Sequence, residues 1–257
     1  VVGLLFLKIP NSREFIVNSD RKAFYSIIIP ARNEESHLPA LFASLEQLCG
    51  DFEVLLIDDH STDATRMMME SFQKNSGLRV TILSNESPGK SPKKAAIAQA
   101  IKIAKAEIVV TTDADCELPT NLLSLLDGYY SNEQVQMVCG GIYFGQLTSV
   151  VEKLQALEQS ALTYVSSNLI RLRRPLTCNG ANLSYRKSAY EFVNGFEGVR
   201  HIASGDDELL MKKIAKQYPK GIFFQSDAWV KTALQTTWDD LLQQRIRWAS
   251  KWKYLSF

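Results

Sequence analysis

The sequence predicts an α/β fold, a mostly parallel central sheet with helices on both faces. Three observations predict it. Short apolar runs rich in β-branched residues recur at Phe24–Pro30, Phe52–Ile57, Val80–Leu83 and in the stretch that ends at Asp113. Stretches with apolar residues at helical spacing separate them, so strand and helix alternate four times in roughly 90 residues, the pattern of βαβ units. The first, second and fourth runs each close in a turn bearing carboxylates, and right-handed crossovers gather such turns at one edge of the sheet.

Each element follows from its residues. Phe24-Tyr-Ser-Ile-Ile-Ile-Pro30 is a continuous apolar run, as a strand covered on both faces requires. The turn Ala31–Ser36 leads to Leu38, Leu41, Phe42, Leu45 and Leu48 at helical spacing. The second strand, Phe52–Ile57, ends at Asp58-Asp59, and Ser61-Thr-Asp-Ala-Thr65 carries N-cap chemistry for the next helix. Val80–Leu83 is a third strand. A loop over 88–92 precedes a helix over Lys93–Lys105 with an apolar stripe at Ile97, Ile101 and Ala104. The fourth strand runs into Asp113-Ala114-Asp115.

The second half is less regular. Val135–Phe144 reads as strand, and 147–172 as a long amphipathic helix ending in Arg171, Arg173 and Arg174, which suits a helix C-terminus. Asn179–Asn182 is a turn. Lys187–Val193 and Gly205–Tyr218 are helices, Phe223–Val230 is strand, and Trp238–Trp252 is a basic, Trp-rich helix. No internal repeat or low-complexity tract is present.

Composition narrows the function classes. The 257 residues allow a large single domain with a sizeable core. A net charge of +1 gives no basic field and no ground for a nucleic-acid partner. Cys49, Cys116, Cys139 and Cys178 are scattered without C-x-x-C spacing, which argues against a disulfide framework or zinc site and suits a reducing compartment. Val1–Leu7 is apolar but far too short to span a bilayer, which takes about 20 residues. It reads as the cut end of a longer apolar segment, and the chain's other end as a second cut.

Five constellations could carry chemistry. Asp113 and Asp115 stand at a strand's carboxyl end, where open α/β sheets bind ligands. Their hard oxygens suit Mg²⁺ or Mn²⁺ bridging to a diphosphate, though solvated carboxylates in a turn would look the same. Asp58-Asp59 is either a contact for a base or ribose, or an acidic turn with a cap. Lys93 and Lys94, after Gly89-Lys90, oppose the dipole at a helix start, a cost that a nearby diphosphate would offset; a solvated helix start is the alternative. Asp206-Asp207-Glu208 opens a helix, which the dipole alone favours, or supplies a general base. Gln243–Trp248 is an amphipathic surface helix, or a set of planar donors and an indole beside a leaving diphosphate.

Taken in order, these motifs resemble family 2 glycosyltransferases of the GT-A type. The matching residues are Ile27-Ile-Ile-Pro-Ala-Arg-Asn-Glu-Glu35, Asp58-Asp-His-Ser-Thr-Asp-Ala-Thr65, Asp113-Ala-Asp115, Gly180-Ala-Asn182, Asp206-Asp207 and Gln244-Arg-Ile-Arg-Trp248. The last resembles the Gln-x-x-Arg-Trp signature of the membrane-embedded branch, which includes cellulose, hyaluronan and poly-N-acetylglucosamine synthases and ceramide glucosyltransferases.

The resemblance implies a Rossmann-like GT-A fold with C-terminal acceptor-side helices. It implies a nucleotide-sugar-binding half over 24–134 and an acceptor-binding, catalytic half over 135–257. The implied reaction is inverting, metal-dependent sugar transfer from a UDP-type donor to a polysaccharide or lipid acceptor. Pro30, Arg32, Glu34, Asp58, Asp59, Lys93, Lys94, Asp113 and Ala114 would contact the donor, and Asp115 with Asp113 the Mg²⁺ or Mn²⁺. Asp207, with Asp206 beside it, would be catalytic, Asp207 as general base. Gly180, Ala181, Asn182, Gln244, Arg245, Arg247 and Trp248 would border the diphosphate and the acceptor. Position 206 is Asp where the family pattern has Glu, and Leu210 supports Asp207 as the base. The implied location is the cytoplasmic face of the cell membrane, attached through segments outside this chain. Two other classes compete. A non-catalytic nucleotide-sugar-binding module would have lost the Asp-x-Asp or the base. A nucleotidyltransferase would carry a glycine-rich loop after the first strand.

Overall fold

The computed structural model describes residues 22–86, 91–235 and 237–249, the side chains of Asp240 and Arg247 excepted. The apolar N-terminal stretch, Gly89-Lys90, the Arg247 side chain and the final helix beyond 249 lie outside the described residues.

The first half forms as the hydrophobic pattern dictates. It runs β1 (Phe24–Ala31), α1 (Leu38–Glu46), β2 (Asp51–Asp58), α2 (Thr65–Asn75), β3 (Val80–Ser84), α3 (Pro92–Ile103) and β4 (Ile108–Thr111). The rest is β5 (Cys116–Glu117), α4 (Leu122–Tyr130), β6 (Met137–Phe144), α5 (Val150–Arg171), a 3₁₀ turn at Gly180–Asn182, β7 (Leu183–Arg186), α6 (Lys187–Phe192), α7 (Glu208–Gln217), β8 (Ile222–Thr232) and α8 (Trp238–Ala249).

All eight strands join one sheet in the order β3-β2-β1-β4-β7-β6-β8-β5. The β3, β2, β1, β4 half is parallel throughout. Beyond β4 the sheet is mixed: β7 runs antiparallel to both neighbours, β6 and β8 are parallel, and β5 is antiparallel to β8. The parallel expectation therefore describes the first half better than the second.

Alternation along the central strands explains the helices on both faces. Ile27 and Ile29 of β1, with Val54 and Leu56 of β2, pack with Leu38, Leu41 and Leu45 of α1, Met69 and Phe72 of α2, and Leu123 and Leu126 of α4. The intervening Ile28, Leu55 and Ile57 join the opposite cluster with Ile97 and Ile101 of α3 and Leu210, Met211 and Ile214 of α7. Successive strand residues point to opposite faces, so an unbroken apolar run needs cover on both.

Register then builds the site. Ala31 pairs with Asp58, and Ile28 with Thr111. The ladder runs one step further, with Asp59 N–H donating to Ala31 O at 2.8 Å and Thr112 N–H to Ile28 O at 3.3 Å. The carboxyl ends of β1, β2 and β4, with the turns that follow them, are thereby held side by side.

Candidate active site

A cleft of about 1620 Å³ opens at this edge. Ligand pockets are commonly about 300–1,000 Å³, so there is room for more than one small molecule. Pro30, Arg32, Glu34, Asp59, Lys93, Asp113, Ala114 and Asp115 line it from the first half of the chain. Gly180, Ala181, Asp206, Asp207, Gln244, Arg245 and Trp248 line it from the second.

The two aspartates after β2 divide their work. The Asp58 carboxylate accepts Ser61 N–H at 3.1 Å and shapes its own turn, and it is not among the cleft-lining residues. Asp59 faces the cleft. Its Oδ1 accepts from buried Asn85 Nδ2 at 2.7 Å, and its Oδ2 lies 3.8 Å from the Arg32 guanidinium. Asn85 also donates to Pro92 O at 3.1 Å, which ties the end of β3 to the start of α3.

Lys93 lies between two carboxylates from distant parts of the chain. Its Nζ is 2.5 Å from Asp113 Oδ1 and 3.4 Å from Asp206 Oδ2. Burial works against its charge, but Asp113 and then Asp206 outweigh that and hold the ammonium above its ordinary range. Lys94 is turned away. It is buried, and its Nζ donates to Ile202 O and Ser204 O, so it does not line the cleft.

Asp115 is anchored across the molecule by Thr232, whose hydroxyl donates to Oδ2 at 3.3 Å. Burial, and then the charge of Asp113, push its carboxyl above the usual range. Burial likewise raises Glu34, partly countered by its 2.7 Å contact with His37 Nδ1. Asp113 and Asp115 thus stand close together at the strand end, with Asp113 paired to Lys93 and Asp115 held by a hydroxyl. Among the described residues no three His, Cys, Asp or Glu side chains form a ligand cluster. Mg²⁺ commonly needs only one or two carboxylates, the other ligands being substrate phosphates and water. Asp113 and Asp115 fit a metal held in that way.

The opposite wall presents Asp207 as the N-cap of α7. Glu208 N–H donates to its Oδ1 at 2.7 Å and Gly180 N–H to its Oδ2 at 3.0 Å. Thr177 locks the neighbouring acid, its hydroxyl donating to Glu208 Oε1 at 2.6 Å. The Gly180–Asn182 turn is itself fastened to the end of β4: Thr111 Oγ1 donates to Gly180 O at 3.2 Å and Thr112 Oγ1 to Ala181 O at 2.9 Å. Asn182 is buried behind the cleft wall, donating to Gly141 O and Ala228 O at 2.8 and 2.9 Å.

The third wall is α5 against α8. Gln155, Glu158, Gln159, Thr163 and Ser166 of α5 line the cleft. Arg245 pairs with Glu158 and lies over the Trp248 ring at 4.4 Å, and Gln244 accepts from Arg245. The sequence reading does not single out Asn85, Thr177, Thr232 or this polar face of α5. Asn85 had a usable signal, because it follows the end of a third parallel strand. Thr177 and Thr232 act through partners 31 and 117 positions away and had none.

With this geometry in view, the family model for glycosyl transferase family 2 matches residues 26–193. The chain belongs to that family. The match takes in β1 through α6, the Asp113–Asp115 pair included, and stops before Asp206-Asp207 and α8. Among curated proteins, the chain is 35% identical over 122 residues to an undecaprenyl-phosphate 4-deoxy-4-formamido-L-arabinose transferase of Aeromonas hydrophila, covering 44% of this chain and 36% of that one. It is 29% identical over 118 residues to a beta-monoglucosyldiacylglycerol synthase of Nostoc, covering 45% of this chain and 25% of that one. The matched stretch thus spans about a third of those relatives or less. Of solved structures, the mannosyltransferase PcManGT from Pyrobaculum calidifontis, in complex with GDP-Man and Mn²⁺, superposes with a TM-score of 0.72 at 19% identity, over 90% of this chain and 62% of that one. Glucosyl-3-phosphoglycerate synthase from Mycobacterium tuberculosis, with Mn²⁺, UDP and glucosyl-3-phosphoglycerate, gives 0.54 at 20% identity, over 89% and 78%. At such identities the likeness concerns the fold, and it is the GT-A fold.

Proposed function

We propose that this chain transfers a sugar, with inversion, from a nucleoside-diphosphate donor to a lipid acceptor. One observation carries the reading: Lys93 bridges Asp113, on the donor side of the cleft, to Asp206, beside the acid suited to act as base. Residues 24–134 would grip the donor, and 135–257 would supply the acceptor side. The donor's base would lie against Arg32 and Asp59, with uracil the preferred choice. Asp113 and Asp115 would hold Mg²⁺ or Mn²⁺, which when bound supplies positive charge to the leaving diphosphate.

Asp207 would then take the proton of an acceptor hydroxyl. That oxygen bonds to the anomeric carbon as the carbon–oxygen bond to the diphosphate breaks on the opposite face. The nucleoside diphosphate leaves with the electron pair. Lys93 would offset part of the departing charge, and Arg245 would steady the Trp248 side of the cleft. The names of the two relatives, an undecaprenyl-phosphate sugar transferase and a synthase of beta-monoglucosyldiacylglycerol, support a lipid over a growing polysaccharide. The Gln244–Trp248 stretch supports the branch with the Gln-x-x-Arg-Trp signature.

The same reading puts the chain on the cytoplasmic face of a membrane. No described helix is long and apolar enough to cross one. The support is instead the outward face of α5, where Val150, Leu154 and Leu157 are exposed, continued by Trp238, Leu242 and Ile246 on α8. Exposed Arg171 and Arg174 at the end of α5 suit anionic headgroups.

The test is nucleoside-diphosphate release from UDP-sugars and GDP-mannose, with lipid extract as acceptor and with Mn²⁺, Mg²⁺ or EDTA. Metal-dependent release that Asp115→Asn abolishes is expected. Binding of a nucleotide sugar without any release would reduce the protein to a binding module.

A further inference from the structure

The loop that delivers Asp206 and Asp207 is held in place by the first turn of α3. Three consecutive carbonyls are involved. Lys94 Nζ donates to Ile202 O and to Ser204 O, each at 2.7 Å. Ser91 Oγ donates to Ala203 O, between them, at 3.5 Å, and lies 3.4 Å from Lys94 Nζ. Gly205 follows at φ +79°, a conformation that costs glycine little, and the chain then enters Asp206-Asp207.

The Lys94 side chain is only 1% exposed. Burying an ammonium is expensive, and an apolar residue of similar length would fill the same space. A lysine is useful here because it has three donors and the loop offers successive carbonyls. Its neighbour Lys93 points the other way, into the cleft, to Asp113 and Asp206. One turn of helix therefore touches the donor-side carboxylate through Lys93 and fixes the loop ahead of the proposed base through Lys94 and Ser91.

We propose that Lys94 is a positioning residue. It sets where the Asp206-Asp207 segment sits relative to Asp113 and Asp115, and it contacts neither donor nor acceptor. The proposal rests on the assignment of Asp207 as base, so its test has one readout that needs no turnover.

The variants are Lys94→Met, Lys94→Ala and Ser91→Ala. Hydrogen exchange read by mass spectrometry should speed up over 199–207 in Lys94→Met and stay unchanged over 24–31. Affinity for UDP with Mn²⁺ should stay within about twofold, while kcat for sugar release from the best wild-type donor falls on the order of 10²-fold, as a misplaced catalytic group does. Ethylamine or propylamine should restore part of the kcat of Lys94→Ala. Ser91→Ala should lower kcat several-fold with an unchanged melting temperature, which keeps the idea testable if both Lys94 variants fail to fold. Loss of UDP–Mn²⁺ affinity in step with kcat, an unchanged kcat, or unchanged exchange over 199–207 would each overturn it. A wild-type protein that turns over no nucleotide sugar would defeat the proposed function, while faster exchange over 199–207 in Lys94→Met would still support the anchoring role.

Discussion

The Gly180 N–H donates to Asp207 Oδ2 at 3.0 Å, joining the turn that leads into β7 to the N-cap of α7. With Glu208 N–H on Oδ1, both oxygens of Asp207 are oriented by backbone donors, which do not depend on a rotamer. A β-carbon at position 180 would stand 3.3 Å from Asp206 Oδ2 and 3.6 Å from Lys93 Nζ. The first approach is tight enough that the Asp206 carboxylate must give by a few tenths of an ångström, while the second is ordinary contact. Gly180→Ala should therefore fold normally and lose between about 10- and 10²-fold in kcat. Steady-state kinetics beside a melting curve checks this, and an unchanged kcat would mean that the turn does not set the position of Asp207.

Asp207→Asn removes the proposed proton acceptor but keeps the shape. Its amide oxygen can still accept Glu208 N–H, while its Nδ2 cannot accept from Gly180 N–H and that one bond is lost. Transfer should fall about 10²–10⁴-fold, the usual worth of a general base, while UDP–Mn²⁺ affinity is kept. Asp206→Asn should act differently. It removes one of the two charges that hold Lys93, so donor affinity should change along with turnover. Isothermal titration beside a turnover assay separates the two residues, and a fully active Asp207→Asn would move the base elsewhere.

The apolar outer face of α5 makes a separate prediction. Leu154 and Leu157 are 51% and 60% exposed on a helix whose inward face lines the cleft. Leu154→Glu combined with Leu157→Glu should weaken cosedimentation with phosphatidylglycerol vesicles at least tenfold, since burying each side chain is worth about 1.5–3 kcal/mol. Release of nucleoside diphosphate with a soluble acceptor should be unchanged. Equal sedimentation of wild type and variant would remove the membrane face.

The link beside Asp115 has a defined pH dependence. Lys231 on β8 faces Glu117 on the two-residue strand β5, at 2.6 Å between Nζ and Oε1. The hydrogen bond to Glu117 raises the lysine above 10.5. A raised folded-state value for a base means that its stabilisation is complete below 10.5 and is lost as pH climbs through the raised value. Both side chains are more than a third exposed, so solvent screening limits the pair to about 0.2–1 kcal/mol. Lys231→Met should thus be slightly less stable than wild type in urea at pH 8, with the difference vanishing well above pH 10.5 and shrinking in high salt.

The first half of the fold is legible in the sequence because its strands are buried on both faces and its helices carry clean stripes. Phe24–Pro30 and Phe52–Ile57 fall within one or two residues of the observed strands. The reading misses β5, β7 and α4. The strand β5 is only two residues, Cys116-Glu117, and looks like the exit of the Asp-Ala-Asp turn. Leu183-Ser-Tyr-Arg186 is short and mixed, and it becomes a strand by pairing with both β4 and β6. The helix Leu122–Tyr130 carries an apolar pattern, but it follows Pro119 within three residues, and the sequence reading assigns no element there. The strand-end carboxylates were legible because sheet topology brings parallel strand ends together whatever lies between them. The opposite turn of Lys94 was not, since adjacent lysines on a helix start look alike until their carbonyl partners are in place.

The long helix α5 turns Gln155, Glu158, Gln159, Thr163 and Ser166, with Leu162 and Val165 among them, toward the cleft, and Val150, Leu154 and Leu157 outward. A helix with its side chains is about 10–12 Å across. Whatever rests on that outer face is therefore separated from the reacting atoms by a single helix and no more. An amphiphile with its tail outside α5 and its hydroxyl inside would have to bridge about that thickness, so headgroup reach becomes a selection rule. A short polar spacer would leave the hydroxyl outside the wall, and one of several atoms would carry it to Asp207.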